Sequence, residues 1–246
     1  MKIYADILEK KSKGKKQFAL LIDPDKLHAD DIFKIISEAK NASVDFFFVG
    51  GSLLINDYFD KCIKTIKENC EIPVVLFPGN SLQISYKADA ILFLSLISGR
   101  NAEMLIGKHI VAAPYLKASI LEVISTGYML IESGQPTAVS YMSNTTPIPS
   151  DKNDIAVCTA MAGELLGLKL IFMDGGSGAK NPISSKMIED VSKSISVPLI
   201  IGGGIKTPEK AIENCKAGAD IIVVGNSIEK DFSMIRKISE AVHSVF

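Results

Sequence analysis

Phe172-Met173-Asp174-Gly175-Gly176-Ser177-Gly178-Ala179 decides the fold, together with Gly202-Gly203-Gly204-Ile205 and Gly225-Asn226-Ser227 further along the chain. Each piece directly follows a short apolar run, at 168–173, 197–201 and 221–224. Strand, glycine-rich corner and helix in succession is how an α/β protein aims backbone N–H groups at one anion. Glycine has no Cβ, so the chain can take a positive φ and approach a ligand closely. The helix N-termini that follow add partial positive charge. A phosphate-bearing small molecule is the first ligand these corners imply.

The same alternation runs outward to both ends. Residues 18–22 read as strand one, stopped by Asp23-Pro24-Asp25, and 30–40 as a helix with Ile32, Phe33, Ile35, Ile36 and Ala39 on one face. Strand two, 44–49, ends at Gly50-Gly51-Ser52, where Ser52 is placed to cap a helix running to about Asn69. Strand three covers 73–77 and strand four 90–94. The gap of about ten residues between them is too short for a crossover helix of the usual length. The third helix is therefore expected to be missing or reduced to a loop. A helix is expected at 100–107; of the apolar runs 110–113 and 128–131, the second is assigned to strand five. The connection 132–150, rich in Pro, Ser and Thr, has the length of a functional or mobile loop. Helices at 154–166, 184–193, 207–217 and 228–245 flank strands six to eight.

Eight parallel strands with glycine-rich, polar C-terminal ends make a (β/α)8 TIM barrel, modified where an irregular segment replaces the third helix. A single domain, 1–246, is expected; the length matches the roughly 250 residues typical of the fold. Its active site belongs at the C-terminal face, with a phosphate site after strands seven and eight. An open doubly wound sheet would carry its glycine fingerprint after strand one. Asp23-Pro24-Asp25-Lys26 stands there instead.

Bulk properties agree. A hydrophobic fraction of 47% with 22% charged residues suits strands buried on both faces. The net charge of −1 argues against nucleic-acid binding, which needs a basic excess. Cys62, Cys70, Cys158 and Cys215 form no CxxC pair and read as small hydrophobes in a reducing compartment. The N-terminus has no signal-peptide pattern, and no apolar run reaches the roughly 18 residues of a membrane span. A cytoplasmic protein is expected.

Gly202, Gly203, Gly204, Gly225 and Asn226 form the expected phosphate cradle, with Lys206 at its edge. Asp23 follows a buried strand, so its carboxylate should face the barrel mouth, where a hard cation such as Mg²⁺ takes one or two carboxylates plus ligand phosphate oxygens. Asp25 is a second candidate ligand, and Ser52 either caps a helix or reaches the same ion. Asp174 ends strand six, placed to bind substrate hydroxyls, to accept a proton or simply to cap its loop. Phe77, Tyr115, Tyr128, Tyr141 and Phe172 line a groove or fill the core. His28, His109 and His243 show no triad pattern.

With those residues in place, the chain resembles the geranylgeranylglyceryl phosphate synthase family, in its second, archaeal and bacterial group, related to heptaprenylglyceryl phosphate synthase. The resemblance is carried by residues 21–26, Val49-Gly50-Gly51-Ser52, Leu76-Phe77-Pro78-Gly79, Tyr141-Met142-Ser143-Asn144-Thr145-Thr146-Pro147-Ile148-Pro149, Gly175 to Ala179, and the Gly203-Gly204 and Gly225-Asn226 pairs. It implies a prenyltransferase that joins a polyprenyl diphosphate, geranylgeranyl in the family, to the sn-3 hydroxyl of sn-glycerol 1-phosphate and releases diphosphate. It assigns Mg²⁺ to Asp23 and Ser52. It assigns the acceptor to Phe172, Met173, Asp174, Gly175, Gly176, Ser177, Gly178, Gly203, Gly204, Gly225 and Asn226, with Asp174 and Asp23 catalytic. It also implies a homo-oligomer, and peripheral membrane contact through the lipid substrate and product. The family usually has Tyr and Glu where this chain has Phe172 and Asp174. Loss of the Tyr hydroxyl removes a hydrogen bond of about 1 kcal/mol. Two other readings share the cradle. One is a phosphosugar isomerase or aldolase, although Lys169 opens strand six rather than closing it; the other is a phosphate-binding paralogue without turnover.

Overall fold

The computed structural model describes residues 2–27, 31–226, 228 and 231–246; the expectations resting on His28, Asp30 and Ser227 lie outside them. Strands β1 (Gln17–Ile22), β2 (Phe46–Val49), β3 (Val74–Leu76), β4 (Ala90–Leu96), β5 (Glu122–Leu130), β6 (Leu170–Asp174), β7 (Leu199–Gly202) and β8 (Ile221–Val224) pair in parallel in chain order. The β1–β8 pairing closes the barrel. Continuous apolar strands fit because both faces are buried. In β2, Phe46 and Phe48 fill the barrel interior while Phe47 and Val49 pack outward in the layer of the helices. Each such buried side chain contributes roughly 1.5–3 kcal/mol.

The first helix, α1 (Ile3–Ser12), was not legible in the sequence. Its apolar signal is two residues one turn apart, Ile3 and Ile7, which pack on the cluster inside the barrel. The Glu122 carboxylate at the start of β5 accepts the Ile3 and Tyr4 amides at 2.5 and 3.2 Å, an anion on a helix N-terminus.

Helix α2 (Asp31–Asn41) lies where expected, but α3 (Phe59–Asn69) begins later than its sequence suggested. Residues 53–58 are not helical, so Ser52 caps nothing and its hydroxyl is left at the barrel mouth. Between β3 and β4 no helix forms, as the short gap required. The buried Gln83 side chain takes over there: Oε1 accepts the Gly51 and Gly79 amides, both at 3.2 Å, and Nε2 donates to Gly51 O at 2.7 Å. Backbone groups at the β2 and β3 corners are thereby satisfied without a helix.

The run 110–113 lies in α4 (Lys108–Lys117), entered through a π-helical turn at Glu103–Gly107, and β5 begins well before the expected 128–131. The connection 132–150 contains a short helix, α5 (Ala138–Ser143), ended by Asn144 at φ 48°. Helices α6 (Asn153–Leu165), α7 (Ser185–Ser192), α8 (Pro208–Lys216) and α9 (Ser233–His243) complete the outer layer. Ser184 and Thr207 cap α7 and α8 through their hydroxyls. No helix among the described residues is long and apolar enough to cross a membrane.

Candidate active site

Every polar corner singled out in the sequence lies at the C-terminal end of a strand, and two cavities meet there. The first, of about 410 Å³, is lined by the corners after β6, β7 and β8. Gly203 and Gly204 stand at φ +80° and +70°, turning the β7 corner back on itself. A Cβ on Gly203 would lie 2.7 Å from Asp174 Oδ1, so only glycine fits that approach. Among the described residues, no backbone hydrogen bond engages the amides of Gly203, Gly204 or Gly225. Half-buried peptide donors of that kind, facing a cavity, are open to an acceptor. Asn226 and Ser177 hydrogen-bond across the β8 and β6 corners, with Nδ2 3.1 Å from the serine Oγ.

The string 172–178 divides by role. Gly176, Ser177 and Gly178 line this cavity with Phe172 and Asp174. Met173 points into the outer core and Gly175 donates its amide to Gly202 O at 3.1 Å. These two line neither cavity. They support the corner instead.

The second cavity, of about 370 Å³, starts at Asp23, Lys26, Gly51 and Ser52 and runs past Ile84, Ile91 and Phe93 to His109, Ala112 and Leu116 of α4. It occupies the flank of the barrel that a third helix would have covered. Its wall is mainly aliphatic and aromatic. His109 Nε2 lies 3.1 Å from Ser95 Oγ and the ring packs edge-on against Phe93. Burial lowers the His109 pKa below its usual value, which keeps the imidazole neutral at pH 7 and the groove uncharged at that point.

Asp23 and Ser52 both line the mouth of this groove. The Asp23 side chain is 15% exposed, with Oδ2 3.1 Å from Lys26 Nζ. Asp25 does not join them: its carboxylate accepts the Ile55 amide and lines neither cavity. Its other oxygen, Oδ1, is buried without a hydrogen-bond partner among the described residues. Tyr115 and Tyr141 are exposed and also line neither cavity, whereas Phe77, Tyr128 and Phe172 cluster inside the barrel. Lys206 lines the first cavity, with Nζ 3.4 Å from Lys180 O. His243 lies far from the site, on Asp45.

Asp174 lines both cavities. Burial raises its carboxyl above the usual range, while hydrogen bonds from Tyr128 and the Gly176 amide act in the opposite sense. The Tyr128 hydroxyl donates to Oδ2 at 2.6 Å and the Gly176 amide to Oδ1 at 2.7 Å. Burial also pushes the Tyr128 hydroxyl well above its ordinary value, so it remains a donor. Each carboxylate oxygen keeps a lone pair for a further hydroxyl. The sequence offered Tyr128 only as one aromatic among several. Its signal is register: Tyr128 pairs with Phe172 and Leu130 with Asp174, so both side chains point inward on adjacent strands.

A glycine-cornered anion cradle opening into an apolar groove defines a phosphate-binding (β/α)8 barrel built for an amphiphilic ligand. The chain belongs to the PcrB family, whose pattern matches residues 6–242. It is 58% identical over 243 residues to the geranylgeranylglyceryl phosphate synthase of Chitinophaga pinensis, covering 99% of this chain and 96% of that one. The protein of the same name from Spirosoma linguale is 52% identical over 94% of this chain and 93% of that one. The fold is similar, with a TM-score of 0.93 at 34% identity and full coverage of both chains, to (S)-3-O-geranylgeranylglyceryl phosphate synthase from Thermoplasma acidophilum in complex with its substrate sn-glycerol-1-phosphate.

Proposed function

We propose that this chain transfers a polyprenyl group from a polyprenyl diphosphate to the sn-3 hydroxyl of sn-glycerol 1-phosphate, forming an ether and releasing diphosphate. One observation carries the reading: a single buried carboxylate, Asp174, lines both the glycine cradle and the apolar groove. The acceptor phosphate takes the amides of Gly203, Gly204 and Gly225 together with Ser177 and Asn226. Its free hydroxyl reaches Asp174, and the prenyl chain lies along the groove toward Ala112 and Leu116. Asp174 accepts the hydroxyl proton as the new C–O bond forms and the allylic bond to diphosphate breaks. A carboxylate made more basic by burial suits that task, and holding both partners across one carboxylate replaces a chance encounter with an oriented one.

Mg²⁺ suits the donors present. Among the described residues no group of three or more His, Cys, Asp or Glu could hold a metal alone. Mg²⁺ is commonly held by one or two carboxylates plus substrate phosphates and water. Asp23 and Ser52 offer a carboxylate and a hydroxyl, and the Lys26 ammonium already stands as a cation on Asp23 Oδ2. Bound there, Mg²⁺ would neutralise charge on the departing diphosphate.

Two surfaces support the remaining partners. Exposed Ile155, Met161 and Leu165 on α6 and Leu166 just after it, with Ile110, Val111 and Tyr115 on α4, suit burial in a homo-oligomer. Exposed Ile55, Leu82 and Tyr141, on connections at the mouth side of the barrel, suit peripheral contact with the membrane that receives the product. A Schiff-base aldolase would need a lysine at the mouth end of a strand. Lys169 precedes β6, and its ammonium lies over the Tyr4 ring at the other end.

The deciding experiment mixes the protein with sn-glycerol 1-phosphate, Mg²⁺ and geranylgeranyl diphosphate, then follows diphosphate release and product mass. An ether-linked product supports the transferase. Acceptor binding without release would identify a paralogue that has lost turnover.

A further inference from the structure

Lys26 sits between the two half-sites. It ends the helical turn Pro24–Lys26 that follows β1, three residues on from Asp23. Its Nζ lies 3.1 Å from Asp23 Oδ2, 3.2 Å from Ser177 Oγ and 3.5 Å from Asn226 Oδ1. Asp23 belongs to the proposed metal position; Ser177 and Asn226 belong to the cradle corners after β6 and β8. The ammonium therefore bridges metal carboxylate and phosphate cradle. The cradle itself offers amide dipoles, and a phosphate dianion held by amides gains further from a formal cation in reach.

We propose that Lys26 is the cation of the acceptor-phosphate site, resting on Asp23 until a divalent ion takes that carboxylate. The inference rests on the functional reading above. An ammonium and a divalent ion repel one another at a shared oxygen, so metal on Asp23 displaces the lysine. Its next partners, Ser177 and Asn226, are already within 3.5 Å. The side chain is 40% exposed, which leaves its stem room to turn. Metal and acceptor then bind with positive coupling, and by linkage each raises the affinity of the other by the same factor.

The test is calorimetric titration of sn-glycerol 1-phosphate, with no prenyl donor present, into the wild-type protein and its variants with and without Mg²⁺. Mg²⁺ should tighten acceptor binding to the wild type several-fold. Lys26→Met should bind the acceptor on the order of tenfold more weakly and lose the Mg²⁺ response, while Lys26→Arg keeps most of both. Asp23→Asn, which removes that carboxylate's charge without metal, should bind as tightly as the Mg²⁺-loaded wild type. Wild-type affinity in Lys26→Met overturns the inference and leaves the functional reading standing. In a parallel titration with inorganic diphosphate, a loss confined to that ligand overturns the assignment to the acceptor. Weak binding by Lys26→Met with no Mg²⁺ response in the wild type overturns the hand-off. A wild type that never binds sn-glycerol 1-phosphate overturns the functional reading itself.

Discussion

The Tyr128 hydroxyl stands 2.6 Å from Asp174 Oδ2, donated across adjacent strands inside the barrel. The ring packs edge-on against Phe172 at 5.5 Å. Phe172 itself carries no hydroxyl, and comparison with the family's usual Tyr implied a hydrogen bond lost at that position. Tyr128 supplies one to the neighbouring carboxylate from the next strand. It also sets the basicity of Asp174, because a hydrogen bond to the charged form lowers a carboxyl pKa that burial raises. Tyr128→Phe removes that donor, so the Asp174 pKa rises further and the carboxylate form is lost at higher pH. The acidic limb of the kcat pH profile should move upward, with kcat near neutrality falling roughly tenfold, in line with a lost charged hydrogen bond of about 1.5 kcal/mol. An unmoved acidic limb would separate Tyr128 from the proton-accepting group.

Asp23→Asn tests the metal position. The amide keeps the shape of the side chain while removing its charge, so metal-dependent turnover should fall by at least about a hundredfold, with Mg²⁺ and acceptor saturating. Acceptor affinity should survive, because the Gly203, Gly204 and Gly225 amides are untouched. Equal turnover in this variant would take Asp23 out of the mechanism.

Much of this architecture could be read in the chain because its signals are local. Apolar runs ending in the Asp23, Gly50, Pro78, Asp174, Gly203 and Gly225 corners announce a barrel and its working face. The short spacing between β3 and β4 announces the missing helix. What stayed hidden depends on distant partners. Helix α1 is specified by the Glu122 carboxylate beneath its amides, more than a hundred residues away in sequence. Ser52 looked like a cap because local pattern cannot show that the chain runs on to Phe59 before turning helical. Tyr128 and Lys26 gain meaning only through register and the curvature that brings β1, β5, β6 and β8 to one mouth.

At the opposite end of the barrel, Asp45 is a stability determinant. It accepts the Phe18 amide at 2.8 Å and pairs with Lys10 at 2.7 Å and His243 Nε2 at 2.8 Å, tying β1, α1 and α9 together. Burial acts to raise its carboxyl, but the hydrogen bonds from His243, Lys10 and Phe18 outweigh it and hold the group below its usual value of 3.8. A carboxyl depressed in the folded state contributes stability that is present above the unfolded value and lost as pH falls through the folded one. Asp45→Asn should therefore cost about 3 kcal/mol near pH 7, and less as pH drops below about 4. Urea unfolding of both proteins across that window measures it. A difference that does not change with pH would mean the loss comes from packing alone.

With the prenyl chain lying along the groove as proposed, donor length is expected to be limited where the groove meets α4. Ala112 is buried in that wall between His109 and Leu116, and its methyl leaves the space that the end of a prenyl chain would fill. Ala112→Trp occupies that space without touching Asp23, Asp174 or the cradle. The variant should still join geranyl diphosphate to the acceptor while its kcat/KM with geranylgeranyl diphosphate falls by about tenfold or more relative to the wild type. The loss should appear with the long donor only, because a short chain stops before α4 and binds as before. Competition between donors of several lengths, read by product mass, gives the ratio directly. If Ala112→Trp left that ratio unchanged, the prenyl chain would have to leave the mouth by another path than the flank opened by the absent third helix.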